Sequence, residues 1–503
     1  MHIKKGFSMK KNHRFAALLL ALLLAFSALT ACGEDTAQET AADTADAAGQ
    51  IQPAESEPVW EYPDADFEGA SYRIYNIDNF YNMYLTMNTD ELNGDVLDDA
   101  VYNRNRGVEE ALNCVITELR LIAPDSNYTP MFTTARSSVM GGSDDYEVMY
   151  LPVSEQISLV TDGILQDLYE MPHLQLDETW WDIQVNTTNT LNGKLYFASG
   201  SANLMAFDGM WCLFFNENLM DEYQMEKPYD LVREGKWTLD ALMEYCSGFA
   251  NLNGESTYAY KVGSTNQWGV AVHYAATGGP SKFIHGAGVE TLTADYELNL
   301  ENERFYSVMD KLAILLNQDS GLALKANTND FDVEKGGYIY IFNSRRSLFL
   351  TAEIKTAQVL REMEDTFGIV PFPKYDEAQE NYKTTLVSQL FYMTVPVTNT
   401  RHDLIGTVSE CLAYKGYADI VPVYYDSVVK HKGLRNEDSA EMLEILRRTR
   451  GVDPAFIYGW NRDLWSAIIE KLYTGSSQVA SDVAAQKTAI ESKIDEFMTF
   501  FAE

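Results

Sequence analysis

Positive charge is scarce in this chain. It contains 38 Lys and Arg against 74 Asp and Glu, which gives a formal net charge of −36 at pH 7. Proteins that bind nucleic acids or anionic lipid surfaces need clusters of basic side chains to neutralise phosphates. The composition therefore argues against both kinds of surface as partners, and we expect no nucleic-acid ligand.

Cysteine is also scarce, with five in the chain. Apart from Cys32, which lies in the N-terminal segment discussed below, no two have the spacing of a metal site. Three of the remaining four, Cys114, Cys212 and Cys246, fall within apolar strand-like or helix-like patterns, and Cys411 is the fourth. This pattern favours buried free thiols, with a disulfide as the alternative. We expect neither a metal nor a cofactor.

Familiar catalytic motifs are absent. The sequence has no Gly-x-Ser-x-Gly, no His-Glu-x-x-His and no phosphate-binding Gly-rich loop, and its seven His are scattered. We therefore expect a binding protein that is not an enzyme. A surface-anchored glycoside hydrolase is the first alternative, because it needs only two well-placed carboxylates. A ligand-binding receptor for signalling is the second.

The N-terminus has the organisation of an export signal. Four Lys in residues 1–11 precede an apolar run at 15–31, which is short for a membrane span. The run ends in Leu-Thr-Ala-Cys-Gly at 29–33, which resembles a bacterial lipobox. We predict that 1–32 is a lipoprotein signal peptide and that Cys32 is lipidated, with plain secretion as the alternative. The lipid would anchor the protein to the extracellular face of the cell membrane.

Residues 33–70 are rich in Ala, Thr, Asp and Glu and have no Lys or Arg, so we predict a disordered acidic tether. The rest is globular, with strand-like and helix-like patterns that alternate in the first half. Such alternation predicts an α/β fold with a parallel sheet. The predicted first-half order is strand 71–76, helix 98–113, strand 114–119, helix 131–140 and strand 146–153.

The stretch 192–219 is a natural crossing between two α/β halves. Its run 210–215 is apolar and aromatic on both faces, which suits a strand buried on both sides. Further on, Trp237 and Leu242 flank a helix start at Thr238, so Trp237 is predicted to be structural. Further strands are predicted at 338–342, 347–350, 367–372 and 391–397.

Several ordered features resemble the extracellular solute-binding proteins of ABC importers, in the sugar-binding group that includes maltose-binding protein. Besides the lipobox, the features are Asn192-Gly193-Lys194 before a predicted strand at 195–197, Leu213-Phe214-Phe215-Asn216, Trp237-Thr238-Leu239-Asp240, Trp268-Gly269, Phe342-Asn343-Ser344 and Gly368-Ile369-Val370-Pro371-Phe372-Pro373. The resemblance covers most of 71–503. Longer inserts and a divergent first half separate the chain from maltose-binding protein, so ligand identity does not transfer.

The resemblance implies a periplasmic-binding-protein-like fold with a ligand cleft between two lobes joined by crossover strands. The first lobe would be 71–205 plus 364–417, and the second 206–363 plus 418–503. It also implies a carbohydrate ligand, for which we expect an oligosaccharide, delivered to the membrane subunits of an ABC importer. We expect a monomer.

Candidate ligand-binding residues are aromatic platforms and polar side chains in loops, because sugars present an apolar face and a rim of hydroxyls. By resemblance, Trp268 belongs to a ligand-facing segment. Trp460 lies outside the apolar stripe of the following helix, so we predict that it is a platform. Adjacent side chains point to opposite sides, so one of Trp180 and Trp181 should be free for a partner. The polar candidates are Asp208, Glu353 and Asn79.

Overall fold

The structure is a computed structural model that describes residues 60–78, 84–122, 128–260, 263–275, 278–326, 337–388, 390–429 and 437–502. Residues 61–503 belong to one compact unit. Cys32, Asn79, the predicted signal peptide and most of the predicted tether lie outside the described residues. Within the described ranges, no helix is both long enough and apolar enough to cross a membrane.

The described ranges contain eleven strands and eighteen α-helices. The strands are β1 Ala70–Asp78, β2 Cys114–Ile122, β3 Val148–Pro152, β4 Trp211–Asn216, β5 Trp268–His273, β6 Ala323–Ala326, β7 Ser347–Glu353, β8 Phe367–Val370, β9 Thr384–Thr385, β10 Phe391–Thr394 and β11 Arg450–Gly451. The helices are α1 Val96–Leu112, α2 Thr129–Met140, α3 Val153–Thr161, α4 Ile183–Asn189, α5 Met205–Asp208, α6 Glu217–Glu222, α7 Tyr229–Arg233, α8 Leu239–Phe249, α9 Gly279–Gly286, α10 Glu303–Leu315, α11 Ile339–Asn343, α12 Thr356–Val359, α13 His402–Lys415, α14 Val421–Val429, α15 Glu437–Arg448, α16 Pro454–Ile457, α17 Arg462–Tyr473 and α18 Ala480–Ala502.

The first sheet has four strands in the order β10-β3-β1-β2. Strands β1, β2 and β3 are parallel, with α1 and α2 between them in the chain, while β10 is antiparallel to β3. This confirms the predicted alternation of strands and helices in the first half. Every residue of β3 is buried, as expected for a strand covered on both faces.

The second sheet has five strands in the order β6-β5-β7-β4-β8. Strands β5, β6 and β7 are parallel, and β4 runs antiparallel to both β7 and β8. All six residues of β4 are buried, which confirms the interpretation of 210–215 as a strand buried on both sides. The four cysteines of the described residues are free and buried, as the sequence favoured.

The chain passes from the first sheet to the second between Ala198 and Trp211. Ala198 bridges Met393 of β10, whereas Met210 bridges Leu386 on a returning segment that leads to β10. The two antiparallel crossover segments therefore connect the sheets where the sequence predicted a crossing. Strand β4 follows directly, so the start of the second sheet is fixed relative to the crossover.

A local signal in the sequence explains where α8 starts. The Thr238 side chain accepts a hydrogen bond from the Ala241 N–H and caps α8. Trp237 is fully buried, and its Nε1–H donates to the Pro371 carbonyl at 2.8 Å. The prediction that Trp237 is structural is confirmed.

Four sequence interpretations differ from the structure. The predicted strand at 338–342 is instead mostly α11, because the tertiary context overrides the strand propensity of an aromatic run. Residues 195–197 form no regular strand. Strand β8, predicted within the first lobe, pairs with β4 in the second sheet. The last residues of the predicted tether belong to the folded part, since the N–H groups of Phe67 and Gly69 donate to backbone carbonyls at the end of α1.

Candidate functional site

Three neighbouring strands of the second sheet bring polar and aromatic side chains to one edge. Strands β5 and β7 end there with His273 and Glu353, and the antiparallel β4 begins there with Trp211. Trp211 and Glu353 are direct cross-strand partners, and the rings of Trp211 and His273 lie 5.9 Å apart. Because ligands of α/β sheets bind beyond the carboxyl ends of the strands, this carboxyl edge is the candidate site.

Two more aromatic rings extend the carboxyl edge. Tyr274 stacks on His273 with ring centroids 5.7 Å apart, and Tyr338 meets His273 edge-on at 5.2 Å. His273, Tyr274 and Tyr338 are partly exposed, whereas Trp211 is only 4% exposed behind them. The edge thus offers flat apolar surfaces beside the carboxylate of Glu353, which is also partly exposed.

Two buried nitrogens at this edge have no hydrogen-bond partner among the described residues, Nε1 of Trp211 and Nδ1 of His273. Burial and the neighbouring Lys282 lower the pKa of His273 to about 4, so its ring is neutral at pH 7. Buried polar groups are nearly always paired in native proteins, because an unpaired one keeps its full desolvation cost. The cluster therefore has the hydrogen-bonding capacity that a polar ligand requires.

Helix α9 begins at the carboxyl edge and approaches it closely. A Cβ at Gly278 would lie 2.3 Å from His273 Nδ1, and a Cβ at Gly279 would lie 2.7 Å from Thr351 Oγ1. Only glycine therefore permits this start of α9. One turn further on, Lys282 is 1% exposed and its Nζ donates to the Leu386 carbonyl at 3.2 Å.

The ammonium of Lys282 also faces two rings. Its Nζ lies 5.6 Å from the ring centroid of Trp211 and 5.4 Å from that of Phe456, within the range of cation–π attraction. Burial lowers the pKa of Lys282 to about 7, although Glu353 and Asp453 favour its charged form. Its charge can therefore change near neutral pH.

Asp208 lies next to the carboxyl edge but is used by the protein itself. One carboxylate oxygen accepts a hydrogen bond from the Tyr424 hydroxyl at 2.6 Å, and the other from the Tyr84 N–H at 2.7 Å. The side chain is fully buried, which raises its pKa despite these bonds. This geometry favours a clamp between the loop after β1 and α14 over a direct ligand contact.

The structure places Trp268 far from the carboxyl edge. It is the first residue of β5, at the amino end of the strand, about 16 Å along the strand from His273 at roughly 3.3 Å per residue. It is 1% exposed and lies under the Arg346 guanidinium, 5.0 Å from the ring centroid. The predicted platform role does not fit this position, because the sequence did not give the direction of the strand relative to the cleft.

Trp460 and Trp181 are also buried, at 5% and 2% exposure. Trp460 stacks on Tyr458 at 4.9 Å and packs against Phe497 of the C-terminal helix, so its predicted open face is covered by aromatic side chains. Trp181 donates through Nε1 to Glu410 at 2.9 Å, and Trp180 is buried beside it. The expectation that one of these two adjacent tryptophans is free for a partner therefore does not hold, because the buried Glu410 carboxylate accepts a hydrogen bond from each indole.

Of the predicted residues that the structure describes, Glu353 and Asp208 lie at or next to the carboxyl edge. Sequence reasoning missed Trp211, Lys282 and Tyr338. A signal existed for Trp211, since it opens the aromatic run that follows the crossing. No sequence signal identified Lys282, whose short amphipathic helix looks ordinary without the packing around it.

A separate cavity of about 880 Å³ contains none of Trp211, His273 or Glu353. It lies between α4, residues 290–296 and the end of α15, and its Lys383 is paired with Glu290 at 2.8 Å. Its lining lacks the unpaired buried nitrogens of the carboxyl edge. Across the described ranges, no group of three or more His, Cys, Asp or Glu could hold a metal ion.

Solved structures share the architecture. The maltose/maltodextrin-binding domain MalE from Bdellovibrio bacteriovorus, bound to maltotriose, aligns with 85% of this chain and 100% of its own at 14% identity and a TM-score of 0.52. The cyclic alpha-maltosyl-1,6-maltose binding protein from Arthrobacter globiformis aligns with 85% and 100% at 14% identity and a TM-score of 0.57. A sugar transporter from Rhizobium etli in an open conformation aligns with 84% and 100% at 12% identity and a TM-score of 0.57.

The chain has the two-lobed α/β fold of periplasmic binding proteins. This confirms the predicted fold class. No known family profile and no curated protein sequence matches the chain. The carboxyl edge of the second sheet adjoins the crossover, since the N–H groups of Ile354 and Lys355, just after β7, donate to the carbonyls of Met210 and Asp208.

Proposed function

We propose that this protein is an extracellular substrate-binding lipoprotein that captures an oligosaccharide between two lobes and delivers it to an ABC importer. The observation that carries the proposal is the carboxyl edge, where half-buried rings adjoin a carboxylate and unpaired nitrogens. Sugars need both features, an apolar ring face and directed hydrogen bonds.

The similar structures support the same ligand class. The MalE domain is described as bound to maltotriose, and the Arthrobacter globiformis protein as a cyclic alpha-maltosyl-1,6-maltose binding protein. A third is described as the GacH receptor of Streptomyces glaucescens in complex with acarbose. At identities of 12–14% the likeness concerns the fold, so experiment must decide which sugar binds.

The decisive experiment is a thermal-shift screen of linear and cyclic oligosaccharides, followed by calorimetry on each hit. A specific ligand raises the free energy of unfolding by mass action, by about 2.7 kcal/mol at a hundredfold excess over Kd, and the melting temperature rises with it. Trp211→Ala should weaken binding by about tenfold or more, because it removes the unpaired Nε1–H donor and the ring that supports His273. Trp268→Phe, at the far end of β5, is the matched control and should leave affinity unchanged.

The same screen separates binding from hydrolysis. The ligand should be recovered intact after prolonged incubation with a molar equivalent of protein. Release of shorter sugars would contradict the proposal and support the glycoside hydrolase alternative. Absence of any hit across the screen would contradict a carbohydrate ligand.

Ligand binding should also close the lobes about the crossover segments. The proposed lobes follow the two sheets, with β8 in the second lobe. Small-angle scattering should give a smaller radius of gyration at saturating ligand, as expected for hinge closure. An unchanged scattering profile would argue for a rigid site.

Lipidation of Cys32 is the proposed anchor. A Cys32→Ser variant should move from the membrane fraction to the soluble fraction when cells are fractionated, since the lipid is the only proposed attachment. Retention of the variant in the membrane fraction would contradict the anchor.

A further inference from the structure

Lys282 ties three parts of the candidate site together. It belongs to α9, its Nζ donates to the carbonyl of Leu386 on the returning crossover segment, and it faces the ring of Trp211 on β4. Leu386 in turn bridges Met210, and the next N–H, of Val387, donates to Gly209 at 2.9 Å. A group that holds Leu386 therefore also holds the residues leading into Trp211.

We propose that Lys282 is a positioning residue, whose ammonium holds the crossover and the Trp211 indole in the arrangement that binds ligand, so that affinity falls when the ammonium loses its proton. This inference rests on the proposed function for its ligand-binding part only. The link between Lys282 and Trp211 stands on the geometry and can be measured without ligand.

The charged form matters for two reasons. An ammonium donates a stronger hydrogen bond to the Leu386 carbonyl than a neutral amine. It is also attracted to the faces of Trp211 and Phe456, whereas a neutral amine loses most of this attraction. Deprotonation therefore weakens both contacts at once, on the crossover and on the indole.

Titratable groups from every neighbouring element act on Lys282. Glu353 from β7 and Asp453 before α16 favour the ammonium, while burial opposes it and brings its pKa to about 7. His273 from β5 and His285 from α9 have pKa values lowered to about 4 and about 3, so both are neutral in this range. Burial also raises the pKa of Asp453 and lowers that of Lys355, which follows β7, so substitution of Lys282 is needed to assign the change in charge.

The first test measures Trp211 emission. The difference between the wild-type spectrum and that of Trp211→Phe, recorded from pH 5.5 to 9, should show one step with its midpoint near pH 7. The step should vanish in Lys282→Met. Absence of the step, or its persistence in Lys282→Met, would overturn the proposal.

Two further variants secure this test. Lys282→Arg stays charged throughout the range and should also abolish the step, which keeps the proposal falsifiable if Lys282→Met does not fold. Lys311→Met is the matched control, because Lys311 also lies over a ring, that of Tyr375 at 4.2 Å, but outside the site. It should leave the step unchanged.

The second test measures affinity, with maltotriose as the probe. Wild-type affinity should fall about tenfold from pH 6 to pH 9, the size expected for loss of a buried cation–π contact. Lys282→Met should bind at the weaker level at both pH values. Equal wild-type affinity at both pH values would contradict the effect on ligand binding. If maltotriose does not bind at either pH, the choice of this sugar is wrong, while the emission step still decides the role of Lys282.

Discussion

Two buried clusters in this protein contain tryptophan and a carboxylate, and they differ in whether their polar atoms are paired. At Glu410, both oxygens are occupied, by Nε1 of Trp180 at 2.6 Å, Nε1 of Trp181 at 2.9 Å, and the backbone and side-chain N–H groups of Gln175 at 3.0 and 3.2 Å. At the carboxyl edge of the second sheet, Nε1 of Trp211 and Nδ1 of His273 have no partner among the described residues.

The difference separates a structural cluster from a candidate binding site. Burial raises the pKa of Glu410, and its four N–H donors offset part of the cost of its desolvation. A cluster satisfied in this way has no free donor for a ligand. At the carboxyl edge the desolvation cost is not offset within the described residues, and a ligand can offset it on binding.

Among the substitutions that test this difference between the clusters, we expect the largest loss of stability at Glu410. Glu410→Ala leaves the donors of Trp180, Trp181 and Gln175 buried and unpaired, so we expect a loss of about 3–5 kcal/mol in the free energy of unfolding. Urea denaturation measures it. Glu410→Gln, which keeps one acceptor, should lose less. If Glu410→Ala unfolds like the wild type, the cluster is not structural.

Lys282→Met should change stability in the opposite direction. The pKa of Lys282 falls from its ordinary 10.5 to about 7 in the folded protein. Burial of the charge therefore costs stability in full below pH 7, and the cost fades as pH rises from 7 towards 10.5. We expect the variant to gain roughly 2–4 kcal/mol at pH 6 and less at pH 9. A larger gain at pH 9 than at pH 6 would contradict a buried ammonium.

A matched pair of Trp→Phe substitutions sharpens the comparison, since both remove the same atoms. Trp181→Phe loses a hydrogen bond to a carboxylate and should cost about 2–3 kcal/mol of stability without changing affinity. Trp211→Phe loses a nitrogen that has no described partner, so it should cost about 1 kcal/mol or less but weaken ligand binding. Thermal melts and calorimetry distinguish the two. Equal stability losses would show that both nitrogens are paired.

Glu353→Gln should have the smallest effect on stability, within about 0.5 kcal/mol, because the side chain is partly exposed. Its effect should appear in the titration of Lys282. Loss of the carboxylate removes a charge that favours the ammonium, so the Trp211 emission step should move to lower pH. A midpoint that stays in place or rises would show that Glu353 does not act on Lys282.

The fold was largely predictable from the sequence because its signals are local. Alternating strand and helix patterns gave β1, α1, β2, α2 and β3, and the apolar run at 210–215 gave β4. The pairing of β8 with β4 in the second sheet was not predicted, because pairing depends on contacts distant in the chain. The aromatic run that contains α11 was misjudged for the same reason, since packing decides its conformation.

The site was less predictable because exposure is a tertiary property. Trp268, Trp460 and Trp181 all lie in loop-like or polar contexts, yet each is buried against other side chains. Their indoles could not be told apart from that of Trp211 without knowing which strand ends share an edge. Glu353 was found because it lies just after the predicted strand 347–350, and β7 ends with Glu353 at that edge.

The paired glycines at the start of α9 have a practical consequence for redesign. A Cβ at Gly278 or Gly279 would overlap His273 or Thr351, so any side chain there would push the helix outward and carry Lys282 away from the crossover. A library intended to alter ligand preference should therefore keep these two positions constant as a spacer. Diversity belongs instead at Tyr274 and Tyr338, whose rings are partly exposed and can change without moving the backbone.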